Sequence, residues 1–211
     1  MAATDTKSRP PSSEGEHSAR QRIVAGARRH FLAQGFRGVT MDDLAEELGM
    51  SKKTLYAHFP SKVALVEAVL HQKFAEVDAE LAAIDSTQTS DFPSMLHAML
   101  ATLQRQTAEI QPPFLRDIRS ETPELFRLVE EKRGDLIQRY FGKLFRDGRR
   151  TGMIRKDIPT WLIIEIMLAA TNAIVNPRRL LELELTPRTA FIPIISVLLE
   201  GAMTEKGRKQ L

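Results

Sequence analysis

The stretch SKKTLYAHFPSK, residues 51–62, gathers three lysines, a tyrosine, a histidine and three Ser/Thr hydroxyls around Leu55, Ala57 and Phe59. None of these side chains is paired as a nucleophile with a base. They are cations and hydrogen-bond donors, and the chemistry open to them is to hold a polyanion by its phosphates and base edges. The charge distribution agrees. Between positions 20 and 62, Arg20, Arg22, Arg28, Arg29, Arg37, Lys52, Lys53 and Lys62 stand against Asp42, Asp43, Glu46 and Glu47, whereas cations and anions balance after position 62. The formal net charge of +3 is therefore concentrated in one segment, as an electrostatic footprint for nucleic acid requires.

Other chemistries find little support. The chain has no cysteine, so thiol catalysis, disulfides and zinc–thiolate sites are excluded. The histidines, at 17, 30, 58, 71 and 97, form no i,i+4 pair with one another, and Glu67 with His71 is a single such spacing. No phosphate-binding glycine loop and no nucleophile elbow occurs. We expect no enzyme activity, no metal and no cofactor.

The elements that must position the cationic stretch are short helices. Ile23, Ala27 and Phe31 recur every fourth residue in a first helix from about residue 18, which Gly35 ends. Thr40 with Asp43 three places on opens a second helix, 40–48, with Leu44, Ala45 and Leu48 inward and Gly49 as its stop. Ser51 caps a third, 51–59, which Pro60 breaks, and Ser61 caps a fourth, 61–84. Small Ala45 lets the second and third helices approach, and Leu55 and Phe59 anchor the third on the second. The arrangement is a helix-turn-helix with Lys52, Lys53, Tyr56 and part of His58 facing outward.

Residues 23–70, IVAGARRHFLAQGFRGVTMDDLAEELGMSKKTLYAHFPSKVALVEAVL, closely resemble the N-terminal domain of TetR-family transcriptional regulators. The lead-in GFRGVT, the turn DLAEELGMS and the run TLYAHFPSK carry the resemblance. It implies an all-α cytoplasmic homodimer that binds double-stranded DNA at a pseudo-palindromic operator, with a variable C-terminal domain for a small-molecule effector. It further implies that Thr40, Tyr56 and Lys62 contact phosphates, and that Lys52, Lys53, Thr54 and His58, beside the cap Ser51, face the groove or its walls. Lys53 replaces a residue that is commonly glycine or small, and Ala57 one that is commonly bulky, so the base preference is this chain's own.

The rest of the chain reads as helices. Residues 1–17, rich in Ser, Pro and charge, are expected to form a disordered arm without the apolar run of a secretory leader. Residues 18–62 form the DNA-binding domain, the helix 61–84 connects, and 63–211 form the effector-binding and dimerisation domain. A linker is expected at 85–91, an N-cap at Thr122, and a kink or true helix start at Pro193. The run 158–175 carries Pro159, Glu165 and Asn172, which suits a buried or interface helix rather than a membrane span. With 186–203 it is the expected dimer seam.

On the family resemblance, Met95, Met99, Phe114, Tyr140, Trp161, Met167, Thr171 and Asn172 are candidates for a largely apolar ligand pocket. An ordinary core is the alternative for each. The unbroken stripe from Val63 to Leu81 suggests that the fourth helix is a lever between the domains. Two other functions stay open. A regulator or architectural protein without an effector would have a solid C-terminal core, and a helical enzyme with an appended DNA reader would need a catalytic constellation.

Overall fold

Side-chain caps set most of the helix starts. Thr40, Ser51, Ser61, Asp91, Asn176, Thr186 and Thr204 each accept a hydrogen bond from the backbone N–H three residues on, the donor that a helix's first turn leaves without a partner. The computed structural model describes residues 13–86 and 91–210. Among them, eleven helices follow in order: α1 Ser13–Gln34, α2 Met41–Glu47, α3 Lys52–His58, α4 Lys62–Asp85, α5 Phe92–Ala108, α6 Pro112–Glu121, α7 Pro123–Thr151, α8 Thr160–Ile174, α9 Pro177–Glu182, α10 Pro187–Ala202 and α11 Glu205–Arg208. No strand accompanies them among the described residues, so the fold is all-α; Ile154 and Met203 form an isolated antiparallel bridge.

Several boundaries depart from the sequence reading. Residues 13–17 belong to α1 rather than to an arm, because extending a packed helix costs little once it is nucleated, even through polar residues. Residues 1–12, and positions 87–90 of the expected linker, lie outside the described residues. Thr122 stands at the start of α7 but does not cap it: its buried hydroxyl donates to the Ile118 carbonyl at 3.2 Å. The seam helix 158–175 is shorter, and α9 follows it as a separate turn. The start of α10 is fixed by Thr186, so Pro193 lies inside the helix on its exposed side. No helix among the described residues is long and apolar enough to cross a membrane.

Two apolar cores hold the bundle together. One joins α1, α2, α3 and the first half of α4 through Phe31, Leu44, Leu55, Phe59 and Leu65, and it also takes Phe114 and Ile118 from α6 and Leu125 from α7. The other joins Val77 and Leu81 of α4 to α5, α7, α8 and α10. The first core therefore crosses the expected boundary at residue 62. The expected stripe on α4 is also interrupted. Val63 is exposed, and Lys73, at an inward position between Val69 and Val77, is only 6% exposed.

Candidate nucleic-acid interface and cavity

The turn between α2 and α3 is built by its backbone. Gly49 adopts φ +65°, which an L side chain would resist, and Met50 N–H donates to the Ala45 carbonyl at 2.9 Å. Thr40 and Asp43 complete a capping box, each side chain accepting the other's backbone N–H. Leu44, Ala45, Leu55 and Phe59 are buried where the two helices meet. The opposite side of α3 is free: Ser51, Lys52, Lys53, Thr54, Tyr56 and Ala57 are exposed, His58 is half-buried, and Tyr56 keeps 46% of its surface accessible. Thr40 is exposed as well. The side chains expected at DNA thus share an open surface.

Not every cation of this segment is available there. Lys52 pairs with Asp42 at 2.5 Å, and Arg29 with Glu47 at 3.1 Å. Arg28 turns inward to Glu76 at 2.5 Å and Glu109 at 2.7 Å and leaves the footprint altogether. Lys62 Nζ donates to the carbonyls of Val39 at 3.0 Å and Arg37 at 3.4 Å, tying the start of α4 to the loop before α2 and using two of its three donors. Arg20, which the sequence offered only as one charge among eight, has a specific place. Its guanidinium lies 4.2 Å from the centre of the Phe59 ring and donates to the His58 carbonyl at 3.0 Å, clamping the end of α3.

Behind this surface lies a cavity of about 330 Å3. Its walls come from α4, the end of α5, α6, α7, α8 and α10, and are mostly apolar, with Leu70, Phe74, Val77, Phe114, Phe126 and Phe191 among them. Lys73, Gln106, Thr107, Arg119, Glu130, Arg133, Thr171 and Asn172 supply polar groups. Of the residues proposed from sequence, Phe114, Thr171 and Asn172 line it. Met99 and Tyr140 are buried in the second core instead, and the Tyr140 hydroxyl donates to Asp78 Oδ1 at 2.7 Å. Met95 packs against that core, Met167 borders only a void of about 10 Å3, and Trp161 is 62% exposed on the surface. Methionines and aromatics fill solid packing as readily as they line a pocket, so residue type alone could not separate the two.

Lys73 carries the clearest electrostatic signature. Its ammonium donates to Gln106 Oε1 at 2.6 Å and pairs with Glu109 at 3.0 Å. Burial holds its pKa below the usual lysine value despite Glu109. Burial pushes the Glu109 carboxyl up, but hydrogen bonds from Arg28 and Lys73 outweigh that and hold it below the ordinary range. Lys73, Glu109, Arg28 and Glu76 thus link α4, the end of α5 and α1 beside the cavity. A second link runs from α6. Asp117 is 1% exposed and accepts from Arg37 N–H at 2.9 Å, while Gln111 N–H donates to the Leu32 carbonyl at 2.9 Å. Gly35, at φ +80°, leaves room for Asp117, since a Cβ there would stand 2.4 Å from Asp117 Oδ2.

Comparison with known proteins agrees with this geometry. Residues 23–69 match the family model described as bacterial regulatory proteins, tetR family. The HTH-type transcriptional regulator YvaF of Bacillus subtilis is 26% identical over 190 residues, covering 88% of this chain and 96% of that protein. The HTH-type transcriptional regulator UidR of Escherichia coli is 26% identical over 160 residues, covering 74% and 79%. A transcriptional regulator from Saccharomonospora viridis, solved in complex with choline, shares the fold at a TM-score of 0.66 and 18% identity, over 90% of this chain and 100% of that one. With its matched residues 23–69 and its exposed α3, this chain carries the DNA-binding domain of the tetR family of bacterial regulatory proteins, and over most of its length it is similar to HTH-type transcriptional regulators.

Proposed function

We propose that the protein is a homodimeric repressor that binds a pseudo-palindromic operator in the cytoplasm and is released by a small, largely apolar ligand. Each protomer would place α3 in a major groove, with Lys53, Thr54 and His58 toward the bases and Thr40, Ser51, Lys52, Tyr56 and Lys62 toward the groove walls and phosphates. The observation that carries the ligand reading is the cavity wall itself: α6 lines the cavity through Phe114 and Ile118 and is hydrogen-bonded through Asp117 to the loop that precedes α2. A regulator without an effector has no need of such a space. The dimer seam proposed on α8 and α10 is supported by exposed Trp161, Ile166, Ile192 and Val197, the last 74% accessible, a concentration of apolar surface that a monomer would have to solvate.

The switch follows from rigid elements. A ligand filling the cavity would shift α4 and α6 together, changing the separation of the two α3 helices, which must match about one turn of DNA, ~34 Å, or a multiple of it. A ligand preferring the mismatched state ~100-fold supplies at most about 2.7 kcal/mol per site.

The test is selection from random DNA with the full chain, followed by fluorescence anisotropy on the recovered sequence. Two inverted half-sites, one dimer or more per duplex, and loss of binding on addition of an apolar ligand are expected. Recovery of single, unrepeated sites would end the dimeric reading, and a recovered operator whose affinity no apolar compound changes would favour a regulator without an effector.

A further inference from the structure

The cavity does not end inside the bundle. Three of its lining residues, Arg119, Asn176 and Pro177, also line an open surface groove of about 540 Å3 between α6 and α9. The groove adds Arg116, Arg178 and Arg179, and Glu182 is its one acidic lining residue among those described. The apolar chamber and a cluster of four guanidiniums therefore share a wall.

The charges of that cluster are unequally engaged. Arg178 and Arg179 share Glu182, at 2.7 and 2.8 Å, and Arg116 pairs with buried Asp117 at 3.2 Å. Arg119 has no carboxylate partner among the described residues. Its guanidinium is held 5.4 Å from the ring centre of Phe126, a cavity residue, so it stands at the junction of chamber and groove. Further in, Arg133 lines the cavity. Its NH2 bonds Glu130 at 2.6 Å, but its Nε is buried without a hydrogen-bond partner, the one such side-chain atom among the described residues. A guanidinium donor in a low-dielectric wall favours an acceptor, and an arginine fork matches carboxylate and phosphate oxygens.

We propose that the effector is an amphipathic anion, with an apolar body in the cavity and a carboxylate or phosphate-ester head at Arg119. Arg116, Arg178 and Arg179 extend the positive field outward for a head of higher charge. The same field opposes a cation, so a quaternary ammonium such as choline, present in the Saccharomonospora viridis relative's structure, is not the ligand class favoured here. This inference rests on the cavity being the effector site.

The test measures calorimetric binding of four probes of equal chain length to the full protein below their micellar concentrations: decanoate, decyl phosphate, decanol and decyltrimethylammonium. Both anions are expected to bind about tenfold or more tighter than decanol, the yield of one charge-assisted hydrogen bond. The trimethylammonium probe is expected to bind weakest. Arg119→Gln, at an exposed position, should abolish the preference for both anions over decanol. A larger gain for decyl phosphate than for decanoate, lost in Arg178→Gln, would identify phosphate as the head. Equal binding of anions and decanol to the parent protein, or an anion preference that survives Arg119→Gln, overturns the head-group assignment but leaves the cavity as an apolar effector site. Failure of all four probes to bind overturns the assignment together with the cavity reading on which it rests.

Discussion

Replacing Glu109 by glutamine changes one charge and almost no volume, and its consequence can be worked out from the network around Lys73. In the parent protein the Lys73 ammonium, nearly inaccessible to water, has Gln106 at 2.6 Å and the Glu109 carboxylate at 3.0 Å. Glu109→Gln leaves it with neutral acceptors and with Arg28 nearby, which further disfavours its charge. Removing one partner of a fully buried ion pair costs about 3–5 kcal/mol. Here the Glu109 side chain is 41% exposed, and Glu76 remains on Arg28, so solvent screening reduces the expected loss to about 1–2 kcal/mol. The pH dependence has a definite sign. The folded-state pKa of Glu109 is lowered, so its contribution is present above the unfolded glutamate value of about 4.3 and is lost as pH falls through the lower folded value. Urea unfolding should show a constant deficit between about pH 6 and 8, where Glu109 is ionised in both states, and the deficit should close in acid. Lys73→Met should be milder, since it removes the buried charge rather than stranding it, and the double variant should recover part of the loss. Equal stability of Glu109→Gln and the parent at neutral pH would refute the claim that this pair holds α4 to the end of α5.

Three further outcomes are expected. Arg20→Ala, which removes the contact with Phe59 and the hydrogen bond to His58, should cost about 1 kcal/mol in urea unfolding and weaken operator binding in anisotropy; unchanged affinity would mean that α3 needs no such clamp. In α7, Gly148→Ala should lower stability by about 1–3 kcal/mol, because its Cβ would stand 2.6 Å from Phe92, whereas Gly134→Ala, in open space, should raise it by up to about 1 kcal/mol; calorimetric melting compares the two, and equal melting temperatures would contradict the packing described. Lys53→Gly should relax discrimination at one position of each half-site by about 1–3 kcal/mol, and selection from random DNA returning the same consensus for both proteins would remove Lys53 from base reading.

The first four helices were legible because their ends are written in local chemistry: Thr40, Ser51 and Ser61 as caps, and Gly35 and Gly49 as stops. The exposed face of α3 followed from the anchoring pair Leu55 and Phe59. What the sequence did not yield depends on tertiary proximity. The cavity draws on helices from α4 to α10, and no spacing along the chain marks Phe114, Arg119, Arg133 and Thr171 as neighbours. The sequence does carry one signal for this region: Lys73 sits four residues from both Val69 and Val77, at an inward position where a charge must find a partner. Trp161 misled in the opposite direction, because a large aromatic suggests a pocket wall whether or not the fold covers it.

Phe114, Ile118 and Leu125 belong to the same apolar core as Phe31 and Leu65. The boundary between the DNA-binding helices and the rest of the chain is consequently a packed surface and not a peptide bond that can be cut. A chimaera spliced after residue 70, joining this reader to another protein's C-terminal domain, would strip three large side chains from the core beneath α1 and leave Gly35 and Arg37 facing a foreign residue where Asp117 should be. Transplanting the reader requires transplanting the inner face of α6 with it.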